Sequence, residues 1–517
     1  MPELKINNQR DEVHRAIWAV ADRLRGAVDG WDFKNYVLGA MFYRYLSEYI
    51  TDYINKIEHD AGDLNFNYAD MSDVTAETAR NELVDSLGYF IKPGELFINV
   101  TKRAASDANL NETLEQVFNN IESSAQGTPS EKSFKDLFKD FDVNSNKLGA
   151  SVAKRNERLI DLLDGIAEMN LGQVQDHDID AFGDAYEYLM TMYASRAGKS
   201  GGEFFTPSDV AELLTRLGSC GRDNINNVYD PACGSGSLLL KSKKLLGKLE
   251  FYGQEINITT YNLCRINMIL HGVGFEDFNI ACGDTLTEPE LWDGKKFDLI
   301  VSNPPYATHW AGKDNTILIN DDRYSPAGVL APKSNADFAF IMHSLYCLDY
   351  KGTAAIVCFP GIMYRGSAEQ QIRKFLINNN YIDCIIQLPA NLFFGTSIAT
   401  CILIMKKNRA DNKILFIDAS REYIKATNNN RLAAENISNI VNAFAAREDK
   451  QYFCRLVTLD EIAEQNYNLS VSTYVEQQDT REKIDIKILN AEINNIVARE
   501  QELRLEINKI IAELELD

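Results

Sequence analysis

Paired cysteines at metal or redox spacing are missing from this chain. Its nine cysteines fall singly, mostly in apolar strand-like stretches with no Cys-x-x-Cys, and its six histidines are scattered. A disulfide framework is therefore excluded, and no metal site is expected. Long apolar runs are also lacking. A stretch such as Ala354 to Phe359 is far too short to span a bilayer, and the polar N-terminal segment has no signal-like apolar core, so a cytoplasmic protein without membrane contact is expected. Positive charge is short as well: 53 Lys and Arg stand against 75 Asp and Glu, a formal net charge of -22. Phosphate backbones are bound mainly through Lys and Arg, so unaided nucleic-acid binding is disfavoured and any such partner must be brought by another chain. No internal repeat or low-complexity segment is present.

What the chain has is length and a change of period. At 517 residues it exceeds the usual size of one domain. Residues 1–170 read as a helical domain, in which Val37, Leu38, Met41, Tyr45, Leu46 and Tyr49 share one face. From 171 to 475 strands and helices alternate, the pattern of a doubly wound α/β sheet. Residues 476–517 form a third unit, where Leu489, Ile493, Ile496, Leu503, Ile507, Ile510 and Leu514 keep four-three spacing with Glu500 the single polar member. That is a coiled-coil stripe suited to a helical partner.

Two strand-to-loop junctions in the middle unit carry chemistry. In the first, Val228 and Tyr229 run into Asp230, Pro231, Ala232, Cys233, Gly234, Ser235 and Gly236, and then a helix. Gly234 and Gly236 permit positive φ and leave no Cβ between backbone and a ligand. The third glycine of a dinucleotide fingerprint is absent at Leu239, and so is the Gly-Lys-Ser/Thr of a nucleoside-triphosphate loop. In the second, the apolar run Phe297 to Ser302 ends at Asn303, Pro304, Pro305 and Tyr306. The prolines remove donors and fix φ, so this corner offers an acceptor and an aromatic face to a planar amine. Glu255 follows the next strand after the glycine loop, where an acid accepts a ribose diol. Asp284 ends the strand after that and is either an acceptor for an adenine amine or a turn residue. Upstream, Glu203, Phe204, Phe205, Thr206 and Pro207 lead into the amphipathic run Val210, Leu213, Leu214, Leu217. Thr206 is placed as helix N-cap and Pro207 as first helical residue. Downstream, Phe393 and Phe394 precede a buried strand, either as core or as a wall for a base. The polar stretch from Ala307 to Ser334, with Trp310, Asp321, Asp322 and Arg323, is long enough to cover a base.

In their order, these motifs resemble the amino-methylating DNA methyltransferases of the gamma subclass. With the helical N-terminal region and the C-terminal stripe, the whole chain resembles the modification subunit of a type I restriction-modification system. The resemblance implies a Rossmann-like S-adenosylmethionine-dependent methyltransferase core. It assigns the cofactor to Glu203, Phe204, Phe205, Thr206, Pro207, Asp230, Cys233, Gly234, Ser235, Gly236, Glu255, Asp284 and Asn303. It assigns the chemistry to Asn303, Pro304, Pro305 and Tyr306, with Phe394 facing the target base. The implied reaction is N6 methylation of a flipped adenine in double-stranded DNA. The implied partners are a sequence-reading specificity subunit, joined by two modification subunits, and a restriction or motor subunit. Protein-glutamine or RNA guanine methylation and a catalytically silent assembly scaffold are the competing readings.

Overall fold

The computed structural model describes residues 15–20, 30–171, 181–196, 206–312, 315–393, 396–426, 429–477 and 486–514. The chain divides into two compact units, Met1–Val475 and Glu476–Asp517.

The first unit opens with helices, α1 (Gly30–Asp60), α2 (Leu110–Ser124), α3 (Val152–Ala167) and α4 (Ala181–Arg196). Val37, Leu38, Met41, Tyr45 and Leu46 of α1 are buried as their spacing predicts. Tyr49 departs from that face: it is 38% exposed and stacks on Tyr45 at a centroid distance of 5.7 Å.

The remainder of this unit is built on a nine-stranded sheet. Its strands are β1 (Asn227–Asp230), β2 (Glu250–Glu255), β3 (Phe278–Cys282), β4 (Phe297–Ser302), β5 (Leu348–Cys358), β6 (Ile382–Gln387), β7 (Cys401–Lys406), β8 (Ile414–Asp418) and β11 (Cys454–Val457). A small antiparallel ladder joins β9 (Ile424–Lys425) to β10 (Asn430–Arg431). The spatial order of the large sheet is β11-β8-β6-β7-β5-β4-β1-β2-β3. β1 pairs in parallel with both β2 and β4, β2 with β3, and β4 with β5. β7 runs antiparallel to β5 and β6, so the sheet is mixed rather than wholly parallel.

The central strands read as near-continuous apolar runs because both of their faces are covered. Val228, Leu299, Val301, Ala355 and Val357 point into a core shared with α5 (Ser208–Ser219), α6 (Ser237–Leu246) and α7 (Ile258–Leu270). Their alternates Tyr229, Ile300, Ala354 and Ile356 enter a second core with α8 (Asp337–Cys347) and α9 (Ser367–Asn378). The period of two thus distributes one strand between two layers, which is the doubly wound, Rossmann-like arrangement. Chain order reverses between β1 and β4. The crevice beyond the carboxyl ends of those two strands is where such sheets bind ligands, and both motif loops leave from it.

The helical region is fastened to α7, the helix that follows Glu255. Arg265 is buried and donates to the carbonyls of Lys132 and Lys135 at 2.8 and 2.9 Å. Thr259 donates to Asp140 at 3.0 Å, and Tyr186 donates to the Leu263 carbonyl at 3.0 Å.

Among its described residues the second unit is one helix, α10 (Ile486–Leu514). All seven residues of its stripe are exposed, and so are Val497 and Ile511 beside them, so the apolar face is wider than a strict seam. Among the described residues no helix is long and apolar enough to cross a membrane.

Candidate active site

At the end of β1 the chain turns through Pro231 to Gly236. Gly234 has φ 54° and Gly236 φ 83°, the left-handed region in which glycine carries no penalty. The Gly234 N–H donates to Glu255 Oε2 at 3.1 Å, and the Cys233 N–H to the Gln254 carbonyl at 3.1 Å. Asn267 of α7 donates to the Ser235 carbonyl at 2.8 Å, and Thr285 to the Pro231 carbonyl at 2.6 Å. A Cβ built on Gly236 would lie 2.9 Å from Cys264 Sγ, and one on Gly253 2.9 Å from Cys233. These two glycines are thus also required by packing inside the protein, where Cys233 and Cys264 sit 4.0 Å apart, sulfur to sulfur.

Three acids stand at neighbouring strand ends. Glu255 Oε1 accepts from the Asn257 N–H at 2.9 Å, so both carboxylate oxygens are held by backbone donors. Burial pushes its carboxyl above the usual range. Asp284 makes the turn contacts foreseen as one of its two roles: Oδ1 accepts from the Leu286 N–H at 2.9 Å and Oδ2 from the Thr287 hydroxyl at 2.8 Å.

Asp230 is almost fully buried. Its Oδ1 accepts from the Ala232 N–H at 3.0 Å and from the Ser302 hydroxyl at 2.8 Å, which ties the end of β1 to the residue before Asn303. Desolvation raises this carboxyl from 3.8 to about 7, against the opposing pull of those two hydrogen bonds. A carboxyl raised in the folded state stabilises fully below its unfolded value and loses that contribution as pH climbs through the folded one. Asp230→Asn is therefore expected to melt like the parent near pH 4. Its advantage should grow until about pH 7 and then level, at no more than about 4 kcal/mol. Thermal denaturation across pH checks this; an advantage constant with pH would refute it.

Asn303 emerges from β4 with its amide oriented from both ends. Nδ2 donates to the Thr206 hydroxyl at 3.1 Å, and Oδ1 accepts from the Tyr306 hydroxyl. Here the structure corrects the sequence reading of Thr206. Helix α5 begins at Ser208 with Pro207 in the cap position and no side-chain cap bond, so the Thr206 hydroxyl is left to serve Asn303. The turn closes at Ala307, which has φ 49° and donates its N–H to Asp337 Oδ2 at 3.2 Å.

Among the other expected residues, Phe393 is buried in core, while Glu203, Phe204, Phe205 and Phe394 lie outside the described residues. Within the 307–334 segment, Trp310, Arg323 and Tyr324 are buried rather than presented to a ligand. Trp310 packs edge-on against Tyr324 at 5.5 Å and donates to the Pro332 carbonyl at 3.0 Å. The Ser302 to Asp230 link was not foreseen, since a serine in a buried strand carries no sequence signal of its partner.

Known proteins are similar to this chain over most of its length. Residues 177–483 match the N-6 DNA Methylase family, and residues 13–166 match the HsdM N-terminal domain. The methylase subunit of type I restriction enzyme MpnII from Mycoplasma pneumoniae is 48% identical over 537 residues, covering 100% of this chain and 98% of that protein. The MjaVII methylase subunit of Methanocaldococcus jannaschii is 36% identical over 66% of this chain and 60% of its own length. A crystal structure of a type I restriction-modification system methyltransferase subunit from Streptococcus thermophilus superposes with a TM-score of 0.81 at 37% identity, covering 90% of this chain and 100% of that one.

Proposed function

This chain belongs to the N-6 DNA methylase family, and from that membership we propose how its residues transfer a methyl group from S-adenosylmethionine to the N6 amine of adenine in DNA. It acts as the modification subunit of a type I restriction-modification system. The observation that carries the reading is that Asn303, at the end of β4, and Glu255, at the end of β2, stand on the two strands that flank β1 and its glycine loop.

The site fits the cofactor by its donor set. Glu255, pinned on both oxygens by backbone, is the acceptor for the ribose hydroxyls. Asp284, Cys233, Gly234, Ser235 and Gly236 would hold the nucleoside, with the buried Asp230 fixing the glycine loop through the Ala232 N–H. By the family resemblance, the segment Glu203, Phe204, Phe205, Thr206 and Pro207 would serve the methionine end of the cofactor. The cofactor supplies an electrophilic methyl on a sulfonium. The remaining work falls to the protein.

The nitrogen lone pair of an adenine amine is delocalised into the ring, so the amine is a poor nucleophile until that pair is localised. Hydrogen bonds from the amine to Asn303 Oδ1 and the Pro304 carbonyl draw the nitrogen toward tetrahedral geometry and direct its lone pair outward. Thr206 holds Nδ2 and so selects which end of the Asn303 amide faces the base. As positive charge develops on nitrogen, these fixed acceptors stabilise it without a strong base, and the surplus proton leaves to water. Pro304 and Pro305 stiffen the corner and Tyr306 stacks on the extruded base, while Phe394 is assigned to the base by the family resemblance alone. Extrusion costs a few kcal/mol, which stacking and edge contacts offset.

The Tyr306 hydroxyl occupies Asn303 Oδ1 before substrate arrives, although its ring is what the base requires. Tyr306→Phe is therefore expected to keep most of the rate. Tyr306→Ala should lose about 10- to 100-fold in kcat/KM, the equivalent of about 1–3 kcal/mol of base stacking. Equal losses in the two variants would show that the hydroxyl takes part in the chemistry.

Two copies of this chain join one specificity subunit through α10, and a restriction subunit adds to that assembly. The specificity subunit answers the net charge of -22 by bringing the DNA. The decisive assay is labelled methyl transfer to cognate duplex, with and without the specificity partner, followed by nucleoside analysis. N6-methyladenine formed only by the assembly supports the reading. Its absence, or another methylated product, overturns it.

A further inference from the structure

The segment after the Asn303–Tyr306 corner is tied to the turn that follows β3 by one buried arginine. Arg323 is 3% exposed and all five of its N–H donors are engaged. Nε and Nη2 hold Asp321 in a two-pronged pair at 2.9 and 2.8 Å. Nη1 donates to the Thr285 carbonyl and Nη2 to the Leu286 carbonyl, both at 2.8 Å, and Nη1 also reaches His343 Nδ1 at 3.1 Å. Thr285 and Leu286 follow Asp284 directly, and the Thr285 side chain in turn grips Pro231 of the glycine loop at 2.6 Å.

The second route passes through His343. An arginine never accepts, so His343 Nδ1 must be the acceptor and Nε2 carries the proton, donating to the Tyr229 hydroxyl oxygen at 2.9 Å. Burial, with Arg323 beside it, pushes His343 down to about 3, so the imidazole stays neutral and the relay keeps one sense. Tyr229 immediately precedes Asp230. One guanidinium thereby links the strand ends of β1 and β3 to a segment that begins at the base-binding corner.

We propose that Arg323 is a positioning residue that couples occupancy of the cofactor crevice to capture of the target base. The proposal rests on the methyl-transfer reading above and names a role for a residue that touches neither ligand. Ordering the glycine loop and the Asp284 turn around the cofactor restrains Pro231, Thr285 and Leu286, and Arg323 passes that restraint to Asp321 and the segment following Tyr306. The duplex then meets a segment already ordered, and it binds more tightly. Lysine cannot replace this function, because one ammonium lacks the planar fork that meets carboxylate, carbonyls and imidazole together.

The test uses the full chain assembled with its specificity partner and measures duplex affinity with and without S-adenosylhomocysteine. In the parent protein the ligand is expected to tighten duplex binding by about tenfold, within the usual range of coupling. Arg323→Lys should reduce that to less than about threefold while the affinity for S-adenosylhomocysteine alone changes by less than about threefold. Asp321→Asn releases only the partly exposed end of the clamp and should do the same, which decides the matter if Arg323→Lys folds poorly. A parent without coupling, variants that keep it, or variants that lose ligand affinity outright would each overturn the proposal. Methyl transfer by the parent is read separately, so failure of the reaction assignment is distinguishable from failure of the coupling.

Discussion

Asn303→Ala is expected to lower methyl transfer by about a thousandfold while S-adenosylmethionine binding stays within about threefold. The argument is one of differential binding. The Asn303 oxygen meets the amine most strongly once nitrogen has begun to acquire charge, so its loss falls on kcat rather than on cofactor affinity. Removing a single preorganised partner of developing charge typically costs about 10²–10³-fold. Here the truncation also leaves Thr206 and Tyr306 without the amide they hold, which puts the effect at the upper end. Asn303→Asp separates acceptor from donor. A carboxylate still accepts from the amine but no longer donates to Thr206, so an intermediate rate is expected, in the order Asn, Asp, Ala. Single-turnover transfer with labelled cofactor and calorimetric binding measure the two quantities independently. A variant that loses cofactor affinity more than tenfold while retaining its turnover would move Asn303 from the reaction to the cofactor wall.

The parts of this site that were legible in the sequence are those in which local chemistry restricts the backbone. Two glycines and a strand-to-helix change announce the first loop, and two prolines after an apolar run announce the second; both stand where expected, on adjacent parallel strands. Misreadings arose where a side chain serves a distant partner. Thr206 precedes a proline and an amphipathic helix, so neighbour rules assign it a cap, yet its partner is 97 residues away. Arg323 lies in a polar run read as long enough to cover a base, and the carbonyls it binds instead are 37 and 38 residues upstream. The apolar run now seen as β7 was recognisable as a buried strand, but hydrophobicity carries no direction, and its antiparallel course follows from pairing with β5 and β6.

Deleting residues 480–517 is expected to abolish co-purification with the specificity subunit while leaving a folded, cofactor-binding core. The core should survive because Met1–Val475 is compact without these residues and both sheet-flanking clusters are complete within it. Assembly should fail because α10 carries the stripe from Leu489 to Leu514, whose members are 41–71% exposed, together with Val497 and Ile511. Covering such side chains is worth about 1 kcal/mol each for this partial exposure, so the stripe yields on the order of 7–10 kcal/mol of gross stabilisation. The lost freedom of two associating bodies costs about 4–15 kcal/mol, so a stable complex demands that nearly the whole face be covered. A strict four-three seam meets one helix, whereas this wider face suits packing between two, so the partner is expected to present a helical pair. Placing Asp at both Ile496 and Ile507 should mimic the deletion without shortening the chain, because each buried carboxylate would be unpaired. Size-exclusion chromatography of the co-expressed proteins measures both variants. Co-elution of the truncated chain with the specificity subunit would place the interface on the first unit instead.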